Sequence, residues 1–231
     1  MLATNEMDQL DKKVLVGVAR FLIFLAAMIF IAAWSLVYWQ GWLFIVVFGA
    51  CVTLTTLYFL KHDRGLIERR MHAGPTAEKR PQQKLIQTMI SVLLIAALIV
   101  SVLDHRFGWS RVPSSAVIAG DVLVALGFAA IFVVFRENSF AASIVDVSEG
   151  QPVIATGPYA LVRHPMYAGA LPMFAGSPLA LGSFWGLLPA ALLVGGLVWR
   201  LLDEERYLAE SLPGYSAYMR KVRSRLVPGV W

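Results

Sequence analysis

Four stretches of this 231-residue sequence are apolar over roughly the length that crosses a bilayer: Val14–Trp39, Trp42–Leu60, Leu85–Leu103 and Ser114–Phe135. A spanning helix needs about 20 such residues, because in hydrocarbon each backbone N–H and C=O must be satisfied within the segment itself. The runs therefore predict an integral membrane protein built from α-helices. Composition agrees: 58% of residues are hydrophobic and 15% charged, where a soluble domain carries about a quarter charged. The net charge of +5 calls for no nucleic-acid partner, since basic flanks at the cytoplasmic ends of membrane helices account for it. Cys51 is the single cysteine and lies in an apolar run, which excludes an intramolecular disulfide and a cysteine metal cluster. Met1–Asp11 is polar and acidic, unlike a cleavable signal peptide.

Trp34, Tyr38 and Trp39 crowd the end of the first run, as aromatics do at a membrane interface. Gln40-Gly41 reads as the turn of a tight helical hairpin. Lys61–Lys84 is a polar loop with Lys61, Arg64, Arg69, Arg70, Lys79, Arg80 and Lys84, and a short interfacial helix fits around Leu66–Met71. Asp121 falls inside the fourth span, near one end, where a cap or snorkelling accounts for it. After the mixed stretch Arg136–Thr156, the chain is apolar again to about Leu202. Two shorter spans fit, Pro165–Leu181 and Phe184–Leu201, with Pro172 and Pro178 kinking the first. The tail Asp203–Trp231 is polar, helical in pattern and divided at Pro213-Gly214. Six spans with both ends in the cytoplasm leave only Arg106 and Arg111 of the 20 Lys and Arg outside. The expected architecture is a four-helix membrane region over 1–135 and a core of motif loop, helical hairpin and cytoplasmic tail over 136–231.

Between the two regions lies Gly157-Pro158-Tyr159-Ala160-Leu161-Val162-Arg163-His164-Pro165-Met166-Tyr167-Ala168-Gly169. Gly-Pro marks a turn. Pro165 suits a first helical position and biases His164 to an extended backbone. A helix starting there sets Arg163 and His164 beside unpaired N–H groups, a place for a carboxylate or phosphate. On the same expected side lie Arg200, Asp203, Glu204, Glu205 and Arg206. Arg200 and Glu204 share a helix face. Glu204 and Glu205 point about 100° apart, so they have different jobs. The plain alternative is a basic flank and solvated charges just beyond a span. No Walker loop, no G-x-G-x-x-G after a predicted strand and no G-x-S-x-G is present. His62, His72, His105 and His164 show no metal spacing.

The pattern Gly-Pro-Tyr-x-x-x-Arg-His-Pro-x-Tyr-x-Gly, followed by Arg200 with Glu204-Glu205 and then Leu208, Tyr215 and Tyr218, resembles the signature of the isoprenylcysteine carboxyl methyltransferases and their phospholipid methyltransferase relatives. Arg136 and Val153-Ile154 upstream fit the same pattern, and the length and tail are similar to prokaryotic members. The resemblance covers about the last 100 residues. It implies an enzyme that uses S-adenosylmethionine and releases S-adenosylhomocysteine, in the plasma (inner) membrane of a prokaryote. It implies that Tyr159, Arg163, His164, Pro165, Tyr167, Gly169 and Glu204 serve the cofactor. Arg136, Arg200 and Glu205 fall where the family keeps its acceptor-side and catalytic groups.

The cofactor carries a carboxylate, an ammonium and a sulfonium. Arg163, His164 and a helix N-terminus suit the first, and a glutamate suits the second. Methyl transfer is an in-line displacement that needs alignment and exclusion of water. The expected acceptor is lipophilic: a prenylcysteine-like carboxylate first, a phospholipid amine or hydrophobic thiol otherwise. A small transporter or membrane scaffold is the rival of another class, although few polar residues lie within the spans.

Overall fold

A computed structural model describes residues 2–71, 73–141, 143–145, 147 and 150–231, with backbone alone over 2–8. Readings that fall on Met1 and His72 lie outside the described residues. The fold is all-helical, with no strand among those residues. Four helices are long and apolar enough to cross a membrane: α1 (Leu2–Ala33, its apolar part Gln9–Ala33), α2 (Trp39–His62), α4 (Pro81–Phe107) and α5 (Ser114–Glu137). Ile23, Phe24, Ile31, Val46, Leu54, Val92 and Leu126 point outward from them, an apolar surface too extensive for a protein solvated by water. A short helix, α3 (Arg64–Met71), follows α2, capped by the Asp63 carboxylate on Leu66 N at 3.0 Å. Three helices complete the chain: α6 (Pro165–Ala180), α7 (Leu187–Ser211) and α8 (Tyr215–Lys221). With 16 residues, α6 is shorter than a self-sufficient span. Charged side chains crowd the last third of α7.

The first apolar run ends earlier than its composition indicates. α1 stops at Ala33, and Trp34 turns the chain with a φ of 53°. The turn is Trp34–Tyr38, so Gln40-Gly41 lies inside α2. Tyr38, expected at the interface, is instead wholly buried. Its ring stacks on His105 with centroids 3.8 Å apart, and its hydroxyl donates to Leu181 O at 2.5 Å. A carbonyl left free at the end of α6 is the partner that a buried phenol needs. Gly41 makes room for the ring: a Cβ there would stand 2.7 Å from Tyr38 Cδ1.

α5 and α6 approach backbone to backbone. A Cβ on Gly120 would fall 2.4 Å from Ala180 N, and one on Gly176 would fall 2.6 Å from Gly120 O. One on Gly127 would fall 2.7 Å from Gly169 O, and one on Gly169 would stand 3.1 Å from Ile131 Cγ1. Gly120 and Gly127, like Gly169 and Gly176, are two turns apart and share a face. Small residues at such a seam let membrane helices gain dispersion contacts where no hydrophobic effect operates. α7 packs on α4, where Gly196 lies under Met89 and Gly186 under Ser101. At the end of the bundle away from the motif, Asp104 closes the seam. Its carboxylate accepts from Ser110 N (2.7 Å), Ser110 Oγ (2.5 Å), Ser183 Oγ (2.6 Å) and Trp185 N (3.3 Å).

Asp121 is neither a cap nor a snorkelling residue. It sits two turns into α5, 4% exposed, and neither oxygen has a hydrogen-bond partner among the described residues. A buried carboxylate without partners costs several kcal/mol. Asp121→Asn is expected to raise the thermal midpoint in detergent by about 2–4 °C for each kcal/mol recovered. A lower midpoint would show that the carboxylate is used.

Candidate active site

The Gly157–Gly169 motif is folded as its turn chemistry dictates. Gly157 has a φ of 54°, and a Cβ there would stand 2.8 Å from Glu137 Oε2, so both conformation and space call for glycine. A 3-10 turn covers Gly157–Ala160. His164 is the N-cap of α6 with an extended φ of −122°, and Pro165 is the first helical residue. The segment after α8 is laid against this entrance. Arg163 N donates to Ser224 O (2.9 Å) and His164 N to Arg225 O (3.0 Å), while Tyr218 Oη donates to Tyr159 O (2.8 Å). Residues some 60 positions apart thus meet through backbone hydrogen bonds.

Glu204 and Glu205 diverge as adjacent helical residues must. Glu205 turns inward and is 6% exposed. Its Oε1 lies 2.7 Å from Arg163 Nε, as an ion pair without the alignment of a hydrogen bond, and 3.1 Å from His164 Nε2. Its Oε2 accepts from Arg225 Nε at 3.0 Å. Burial pushes this carboxyl up, but the hydrogen bonds from His164 and Arg225 and the charges of His164 and Arg163 more than offset that. They hold it at about 2. Glu204 turns the other way and accepts from Tyr167 Oη at 2.5 Å.

Tyr167 links Glu204 to Arg200, whose Nε donates to the phenol oxygen at 3.1 Å. The rest of the Arg200 guanidinium is taken by Glu78 Oε1 (2.7 Å), Ser143 O (3.1 Å) and Gln87. Asp203, one turn from the network, pairs with Arg80 at 2.8 Å and accepts from Gln83 Nε2 at 2.6 Å. The loop before α4, read in sequence as a polar loop rich in basic residues, therefore docks on α7 through Arg80 and through an acidic residue, Glu78. Glu78 is 6% exposed and is followed by Lys79 and Arg80, and only a partner elsewhere in the chain could have flagged it.

Two cavities meet at this chain of side chains. The first lies between the motif and the tail. Tyr159, Arg163, His164, Pro165, Tyr167 and Glu204 line it, with Leu208, Leu212, Tyr215 and Tyr218 from the tail and Gln151–Ile154 from the preceding loop. Its free volume is about 110 Å³. The second, about 320 Å³, reaches between the helices past Gln87, Ile90, Ala170, Phe174 and Leu197, with Arg70 and Arg200 at its polar end. Ile144, Val145, Met166, Tyr167 and Glu204 border both. Burial pushes the Tyr159 phenol up to about 12, although Asn138 Nδ2 donates to it at 2.8 Å, so it stays a neutral hydroxyl.

Six of the seven residues expected around a cofactor therefore come together in one cavity. The seventh, Gly169, lies in the α5–α6 seam and acts on the site through the position of α6. Arg200 reaches the second cavity, and Glu205 stands behind the first, tied to the residues that line it. Arg136 is exposed at the end of α5 and lines neither cavity.

No curated protein matches the chain. Residues 115–213, which run from the start of α5 past the end of α7 and contain the glycine seam, the motif and the acidic pair, match the family model for phospholipid methyltransferases (PEMT). The segment that supplies most of the lining of both cavities is thus similar to a phospholipid methyltransferase domain, of a family akin to the isoprenylcysteine carboxyl methyltransferases of membranes.

Proposed function

We propose that S-adenosylmethionine binds in the first cavity, that a lipophilic acceptor enters the second from the bilayer, and that the methyl group passes between them beside Tyr167 and Glu204. The observation that carries this reading is the shared wall: two cavities of different chemistry, one polar and aromatic, one mostly apolar, touch at a carboxylate and a phenol.

The residues present suit the cofactor. Glu204 offers the anion for its ammonium. Tyr159, Tyr167, Tyr215 and Tyr218 offer π faces to a sulfonium and an adenine. The first N–H groups of α6 and Arg163 offer donors to its carboxylate. His164 spends Nε2 on Glu205 and keeps Nδ1 for a ligand. When bound, S-adenosylmethionine supplies the activated methyl carbon and a neutral thioether leaving group. The free volume is below the 300–1,000 Å³ of typical ligand sites, so binding requires the cavity to widen.

On the acceptor side, Arg200 is held by Glu78 and Tyr167 and borders the second cavity, and Nη1, which spends one hydrogen on Gln87, keeps its second for an anionic group. A prenylcysteine-like carboxylate is the first choice, because it is already ionised and needs no base. A phospholipid amine or a hydrophobic thiol would need to lose a proton, and Glu204 is the base at hand. Glu205 is a positioning residue that fixes Arg163 and His164. Both chain ends and the site lie on the cytoplasmic side in this reading, where the cofactor is made.

Calorimetric titration of S-adenosylmethionine and S-adenosylhomocysteine into the detergent-purified protein tests it. Wild type is expected to bind. Glu204→Gln is expected to weaken S-adenosylmethionine by about tenfold or more, the worth of a charged hydrogen bond, with an unchanged thermal midpoint. Absence of binding to folded protein, in detergent and in nanodiscs, would refute the reading and favour a transporter or scaffold. Labelled-methyl transfer to prenylcysteine analogues, phosphatidylethanolamine and long-chain thiols then selects the acceptor.

A further inference from the structure

A third cavity opens between α1, α2 and α3, with Phe135 as its one lining residue from the matched segment. It has a volume of about 550 Å³ and is walled by Val14, Gly17, Val18 and Phe21 of α1 and by Thr55 and Phe59 of α2, with Lys13 and Arg70 at its α3 end. Both long helices are apolar enough to cross a membrane, so the medium that reaches this groove is lipid.

Two features set it apart. Arg80, Arg163, Arg200 and Arg225 each meet a carboxylate. Arg70 meets none among the described residues. Its guanidinium lies 4.3 Å from the centre of the Phe135 ring, and Nη1 bonds Ala141 O at 3.1 Å and approaches Met166 Sδ at 3.7 Å. Burial pulls it down to about 10, against the tyrosines Tyr159 and Tyr167, so it remains a cation. Asp11, an acidic side chain on the same stretch of α1, is already paired with Arg64. The other feature is Gly17. Glycine is among the poorest residues for a helix interior. At Gly41, Gly120, Gly127, Gly176, Gly186 and Gly196 an added Cβ would collide with a neighbour, whereas at Gly17, as at Gly195, it would meet nothing within 4 Å, and of these two only Gly17 lines a cavity. The space above Gly17 is groove.

We propose that this groove seats a membrane phospholipid of net negative charge, its phosphate held by Arg70 and Lys13 and one acyl chain lying over Gly17 between α1 and α2. The groove shares Arg70 with the second cavity, but seating a lipid there requires no methyl transfer. A basic mouth on an apolar cleft selects anionic over zwitterionic lipid by charge. Free volume in the usual range for ligand sites leaves room for the chain.

Native mass spectrometry of the full chain, with dioleoyl phosphatidylglycerol and dioleoyl phosphatidylcholine titrated against it, tests the proposal. Wild type is expected to retain phosphatidylglycerol at least about tenfold more tightly than phosphatidylcholine. Lys13→Gln with Arg70→Gln is expected to erase that preference. Gly17→Phe, whose ring occupies the groove, is expected to weaken both lipids about tenfold. Gly17→Ala leaves most of the space open, retains binding and reports on folding. Equal retention of the two lipids by wild type would overturn the proposal. So would unchanged phosphatidylglycerol binding by Gly17→Phe at a wild-type thermal midpoint.

Discussion

Glu205→Ala is expected to destabilise the protein by about 3–5 kcal/mol, the usual result of removing one partner from a buried ion pair. The substitution leaves the Arg163 guanidinium, 9% exposed, without its anion, and frees His164 and Arg225 together. The same carboxylate ties α7 to the mouth of α6 and to the segment after α8, so the first cavity should open as stability falls. Glu205→Gln keeps the shape but not the charge and should fall between Glu205→Ala and wild type. The pH dependence has a definite sign. The folded-state value of about 2 lies below the ordinary 4.5. The stabilisation from Glu205 is complete above about pH 4.5 and is lost as the pH falls toward 2, an interval worth about 3 kcal/mol. Thermal denaturation in mild detergent across this range checks it: the gap between wild type and Glu205→Gln should close on acidification. A gap that stays constant would assign the effect to packing.

Gly120→Ala is expected to be as damaging, for a different reason. The added methyl would stand 2.4 Å from Ala180 N and 2.7 Å from Gly176 O. Both are backbone atoms in a helix, so no side-chain rotation relieves the clash and α6 must move away from α5. Overpacking of this kind costs about 1–3 kcal/mol, and more where backbone cannot yield. The displacement also carries Pro165 and Tyr167 out of place at the far end of α6. Gly195→Ala is the matched control. A Cβ there meets nothing within 4 Å, so the change should be neutral or stabilising by up to about 1 kcal/mol, from helix propensity alone. Thermal midpoint and elution volume of the two variants in one detergent give the comparison. If Gly120→Ala keeps the wild-type midpoint, the seam is looser than its geometry states.

The parts of this structure that were legible in sequence are those governed by local rules. Pro165 begins α6 because proline needs no amide partner at a first helical position. Four of the apolar runs are helices of spanning length. The divergence of Glu204 and Glu205 follows from helical geometry alone, but which one faces the cavity depends on Arg163, His164 and Arg225, all distant in sequence. The rest was hidden because its cause is tertiary. Trp34–Tyr38 reads as the end of a membrane helix until the Leu181 carbonyl appears as the partner of Tyr38. Glu78 looks like one acidic residue in a basic loop until Arg200 is placed beside it. Arg136, which the motif pattern singles out, is far enough along α5 to emerge from the bundle, away from both cavities. Gly169, which the resemblance assigns to the cofactor, lies in the α5–α6 seam and lines neither cavity.

The wall of Met166, Tyr167 and Glu204 between the first and second cavities has a further consequence. Each cavity is partly shaped by atoms that also shape its neighbour, so a guest in one sets the form in which the other receives its own. Where such an influence exists, thermodynamics makes it reciprocal: the factor by which the first guest alters the affinity of the second equals the factor in the opposite direction. If the two chambers are filled as proposed, they form one heterotropic unit. A compound fitted to the apolar chamber would be visible in titrations of the aromatic one without ever touching it.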